Sequence, residues 1–73
     1  MLQYIWKEVS DLQITLKAAR ANKGLSREKA AELLEISKYM LANYEHGKAS
    51  PTIIEGRKIE AVYGISLDNI FFN

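Results

Sequence analysis

The chain has 73 residues, a formal net charge of +1, 48% apolar residues and no cysteine. That length holds one small domain, which buries only about 60% of its unfolded surface, and without cysteine neither disulfides nor thiolate metal sites support it. The mix of charge and apolar content excludes disorder, no apolar run approaches the roughly 18–20 residues that span a bilayer, and Met1 to Ser10 lacks the layout of a signal peptide, so a soluble cytoplasmic domain is expected.

The first fourteen residues differ from the rest. In Leu2-Gln3-Tyr4-Ile5-Trp6-Lys7 the side chains of Leu2, Tyr4 and Trp6 alternate onto one face, the pattern of a short strand or an extended arm. Trp6 is the sole tryptophan and is costly to leave in water. Residues 1–14 are therefore expected to form an arm that either packs back on the domain or joins a dimer interface.

From Thr15 onward the punctuation is regular. Thr15 is placed to cap a helical run Leu16–Asn22 with Gly24 as its stop, although Ser10 or Asp11 offers an earlier start. Ser26 caps Arg27–Leu34, whose packed side holds Ala30, Ala31, Leu33 and Leu34. Ser37 caps Lys38–Glu45, closed by Gly47, with Ile36, Leu41 and Tyr44 inward and Met40 a partly buried gap-filler. Pro51-Thr52 opens Ile53–Tyr63, closed by Gly64, and Ser66 caps a last turn from Leu67 to Phe71. Five short helices with short connections make an all-α domain over residues 15–73.

The second and third runs are joined by Leu34-Glu35-Ile36-Ser37. So tight a turn makes the later helix cross the earlier one steeply, and Ala31 supplies the small residue that the crossing needs. Lys38, Tyr39, Ala42 and Asn43 then lie on the outer face. A helix presented this way fits the major groove of B-DNA, which is about 12 Å wide. Between Thr15 and Pro51 seven basic residues stand against four acidic ones, while both ends of the chain are mildly acidic. That distribution suits nucleic acid, and a solvated face looks the same.

Catalysis has no candidates. There is one histidine, His46, no cysteine nucleophile and no carboxylate cluster with metal-ligand spacing. The glycines at 24, 47, 56 and 64 are too far apart for a phosphate-cradling loop. Neither an enzymatic activity nor a cofactor is expected.

In order and spacing, Leu16-Lys-Ala-Ala-Arg20, Gly24-Leu25-Ser26, Ala31, Ile36-Ser37, Tyr44-Glu45-His46-Gly47-Lys48, Pro51 and Gly64-Ile65-Ser66-Leu67-Asp68 resemble the phage repressor/Cro-type (XRE-like) helix-turn-helix family, over about residues 15–71. The resemblance implies a five-helix lambda-repressor-like domain. It would act as a homodimeric, sequence-specific transcriptional regulator of a phage or mobile element, on double-stranded operator DNA. It implies base contacts for Lys38, Tyr39 and Asn43, and phosphate contacts for Arg27, Ser37, His46 and Lys48. It also implies a partly buried ion pair between Arg20 and Glu45. Asn43 has support of its own, because asparagine is a poor helix former and its amide pairs bidentately with adenine. Lys38 reads alternatively as a solvated charge, and Tyr39 as a residue on thymine methyls, on phosphate, or shielding the turn.

Three residues depart from the family pattern. Glu35 stands where a left-handed glycine is usual, Arg27 where glutamine is usual, and Gly56 where a large aliphatic residue is usual. The alternative function is a protein-binding module on the same fold, such as an antitoxin, with the arm or the tail Asn69–Asn73 holding the partner.

Overall fold

Four hydroxyl side chains start the four α-helices of the computed structural model, which describes residues 13–72. Thr15 Oγ1 accepts from the Ala18 amide at 3.0 Å ahead of α1 (Leu16–Asn22). Ser26 Oγ accepts from Lys29 at 3.0 Å ahead of α2 (Arg27–Leu34), and Ser37 Oγ from Met40 at 3.0 Å ahead of α3 (Lys38–Glu45). At α4 (Ile53–Tyr63) Thr52 and Glu55 cap each other reciprocally, at 3.1 and 3.0 Å. Each cap pairs an amide that its helix leaves without a partner, an effect of about 1 kcal/mol. The arm residues Leu2, Tyr4 and Trp6 and the alternative caps Ser10 and Asp11 lie outside the described residues.

The end of α2 is the irregular point. Glu35 has φ 62° and ψ 39°, the left-handed conformation, which reverses the chain so that the Ile36 amide bonds Ala31 O at 3.0 Å. A side chain there costs about 1–2 kcal/mol relative to glycine.

The fifth expected helix does not form. Leu67–Asn69 makes a single 3₁₀ turn, and Ile70–Phe71 continues as β2, parallel to β1 (Ile14–Thr15) with Ile14 opposite Ile70 and Thr15 opposite Phe71. One turn fixes several residues for little hydrogen bonding. β-branched and aromatic side chains favour extended backbone, and the extended path places Ile70 in the core at 4% exposure. The described fold is thus four α-helices with a two-residue ladder. Ile14, read from sequence as the end of the arm, is part of that ladder.

Ala30 and Ala31 are buried on α2, which packs closely on α3. Leu16, Ala19, Leu34, Leu41, Tyr44, Ile59, Tyr63 and Ile70 complete the core, with Ile36 half-buried against it. Leu33 and Met40 depart from expectation: both are exposed, at 45% and 41%. At about 100° per residue Leu33 lies roughly 105° and Met40 roughly 70° around its helix from the centre of the buried residues, toward the edge of the packed face. No helix among the described residues is long and apolar enough to cross a membrane.

Candidate nucleic-acid interface

Two buried side chains hold α3 in place. Leu41 is fully buried and Tyr44 nearly so. The Tyr44 hydroxyl donates to Glu55 Oε1, the same oxygen that accepts from the Thr52 amide, which ties α3 to the start of α4. Burial pushes the Tyr44 hydroxyl up to about 12, with the Glu55 hydrogen bond and charge adding to it. The bond from Tyr44, with those from Thr52, holds the Glu55 carboxyl below its usual range. The link therefore keeps its protonation state across neutral pH.

The opposite face of α3 carries the three residues expected to meet bases. Lys38, Tyr39 and Asn43 are all exposed, Tyr39 at 73%, and Ala42 between them is half-buried. Tyr39 and Asn43 are four apart, so they stand on neighbouring turns of one surface. Lys38 Nζ lies 3.3 Å from Glu28 Oε2 and 5.6 Å from the centre of the Tyr39 ring. An exposed ion pair is worth about 0–1 kcal/mol and an exposed cation–π contact about 0.5–1 kcal/mol. Another anion or a base edge can thus take Lys38 from Glu28 at small cost. Nothing in the sequence marked Glu28 as a partner of Lys38, because the two meet only across the turn.

The expected phosphate contacts fall in two groups. Ser37 at the start of α3, and His46 and Lys48 in the loop after it, are exposed. They flank the two ends of a helix about 12 Å long. Arg27 is differently placed. Its Nη2 lies 3.1 Å from Glu45 Oε1, and its Nε donates to the same oxygen at 3.3 Å. Its side chain stays 35% exposed.

The Glu45 carboxylate is therefore shared. Arg20 Nε donates to Oε2 at 2.6 Å, and Arg20 Nη1 donates to Leu25 O at 2.9 Å. Arg20 is 11% exposed and Glu45 not at all. The Arg20–Glu45 pair is in place as the resemblance implies, and the structure adds Arg27 to it. The available signal was a second basic residue at the start of α2, where the family has a neutral one. Nearby, the Tyr63 hydroxyl is buried with no hydrogen-bond partner among the described residues; burial, with the Glu45 charge adding, pushes it up to about 12. Among the described residues no three His, Cys, Asp or Glu side chains gather to hold a metal.

The helix-turn-helix family model matches residues 16–70. The chain belongs to that family, the XRE-like one that its motifs resemble. Over 56 residues it is 38% identical to the HTH-type transcriptional regulator PuuR of Escherichia coli (strain K12), covering 77% of this chain and 30% of PuuR. Over 53 residues it is 36% identical to the SPbeta prophage-derived uncharacterized HTH-type transcriptional regulator YonR of Bacillus subtilis (strain 168), covering 73% of this chain and 49% of YonR. The chain thus matches less than half the length of either relative. No solved structure matches significantly. Both relatives are named as HTH-type transcriptional regulators.

Proposed function

We propose that the chain binds double-stranded DNA sequence-specifically and regulates transcription, with α3 in the major groove of an operator. One observation carries the reading: Lys38, Tyr39 and Asn43 are exposed together on a helix whose other face is fixed by Leu41 and Tyr44. Preorganised side chains on a rigid helix are what base readout requires. In this reading Asn43 pairs with adenine, Lys38 reaches guanine acceptors, and Tyr39 packs on thymine methyls or a phosphate. Ser37, His46 and Lys48 meet the backbone, joined by the open side of Arg27. The protein binds as a homodimer, because one short module contacts too few bases for useful specificity. The prophage origin in the name of YonR supports a mobile-element repressor acting in the cytoplasm.

The test is a titration of the chain on DNA from its own upstream region at several salt concentrations. Binding that exceeds binding to unrelated DNA, and that weakens linearly in log salt, is expected. A folded protein with no preference for that DNA over unrelated duplex would overturn the reading and favour a protein-binding, antitoxin-like module.

A further inference from the structure

We propose that Glu28 sets the specificity of Lys38, making it a reader of guanine in preference to phosphate. The inference rests on the DNA-binding reading above and names what Lys38 accepts within it. Lys38 Nζ donates to Glu28 Oε2 at 3.3 Å, across the turn between α2 and α3. The Lys38 side chain is 48% exposed and that of Glu28 76%. The cation on the outer face of α3 thus carries its own counter-charge, and carries it in the open. Arg27 differs, because its carboxylate partner, Glu45, is fully buried and cannot face a ligand. Lys48 differs too, since it forms no ion pair among the described residues.

Lysine by itself is a point charge that suits any phosphate. Its ammonium has three donors and no acceptor. One serves Glu28, and the others can serve O6 and N7 of one guanine. That base edge is neutral, so Lys38 can hold it without releasing Glu28. A phosphate is charged. Bound to Lys38, it would stand beside the Glu28 carboxylate, and the two like charges repel. The pair therefore weakens the contact that every sequence offers and spares the one that only guanine offers. Discrimination of this kind works by repulsion of the wrong partner as well as attraction of the right one. Glu28 also supports the first turn of α2 through the helix dipole, a role that stability reports and DNA preference does not.

The test is Glu28→Gln, which keeps the shape of the side chain and removes its charge. It is titrated on duplex from the chain's own upstream region and on unrelated duplex of the same length, at several salt concentrations. Binding to unrelated duplex should tighten about two- to fivefold, the range that an exposed ion pair commands, with a salt slope steeper by about one. Binding to the upstream duplex should hardly change, so the preference falls by nearly the same factor. In Lys38→Ala, where Asn43 still supplies a preference, adding Glu28→Gln should leave that preference unmoved, because no ammonium remains for Glu28 to direct. A preference that Glu28→Gln leaves intact in the otherwise unmodified chain overturns this proposal alone. So does a fall of equal size in the Lys38→Ala background, since Glu28 would then act on DNA by itself. If the unmodified chain shows no preference for its upstream duplex, the DNA-binding reading fails and this proposal with it.

Discussion

Glu45 exposes none of its side chain, and two guanidinium groups share its carboxylate, Arg20 at 2.6 Å and Arg27 at 3.1 Å. A charge so far from water is tolerated only when paired, and removing one partner leaves the other uncompensated. Glu45→Ala should therefore cost about 3–5 kcal/mol in chemical denaturation, a large part of the stability of so small a domain. Arg27→Ala should cost less, because Arg20 still holds the carboxylate. An unchanged melting temperature in Glu45→Ala would rule the shared carboxylate out as a support. Glu35 poses the opposite case, a charged residue in a glycine conformation. Its carboxyl is held below the usual range by the hydrogen bond and charge of Lys58, whose Nζ is 2.6 Å away. A carboxylate with a depressed folded pKa adds stability above its unfolded value, about 4.3, and loses it as pH falls through the folded value. The pair is exposed and weak, so relief of the backbone should prevail. Glu35→Gly should be neutral to stabilising, by no more than about 1 kcal/mol. Its advantage should grow in acid, where the unmodified chain loses the Lys58 pair; melting curves at neutral pH and near pH 3 check both signs. The glycine-like role of Glu35 was legible because the family pattern fixes a backbone conformation. Its tie to Lys58 was not, because nothing local links residues 23 positions apart.

At the scale of elements, what could be read was what is local. The caps Thr15, Ser26, Ser37 and Thr52 each satisfy the amide three residues on, so residue type and spacing suffice to place them. Leu67–Phe71 departs from the expected helix because the capped turn is followed by residues that pair with Ile14–Thr15, a partner at the other end of the described chain that no local pattern announces. Leu33 and Met40 are apolar in type yet exposed, because angle around the helix and not residue type alone decides what reaches the core. The Tyr44–Glu55 bond is also non-local, and it makes a prediction about α3 and α4. Its depressed Glu55 carboxyl contributes stability above about pH 4.3, the unfolded value, and loses it as pH falls through the lower folded value. Tyr44→Phe keeps the buried ring and removes only the hydroxyl. It should cost about 0.5–1.5 kcal/mol at neutral pH, and the difference from the unmodified chain should shrink below pH 4. A penalty constant with pH would show that the hydroxyl matters through something other than the Glu55 carboxylate.

For the whole molecule the question is how base readout and phosphate attraction divide over the surface, and salt separates them. Phosphate contacts release counterions, whereas base contacts set preference. Asn43→Ala should cost about 1–3 kcal/mol on the cognate operator, relax the preference for it, and leave the salt slope unchanged because no charge is lost. Lys48→Ala should weaken binding on every sequence and reduce the slope by about one. Arg27→Ala should change the slope less than Lys48→Ala does, because the Glu45 carboxylate already holds the Arg27 guanidinium in the free protein. Stability must be measured alongside, since Arg27 also supports the Glu45 site. A two-fold dimer should protect two half-sites about 34 Å apart on one face of the duplex. If Asn43→Ala keeps both affinity and preference while Lys48→Ala still lowers the slope, the surface holds DNA by charge alone and α3 is not its reading head. If all three substitutions leave binding as it was, the DNA lies on another face of the molecule.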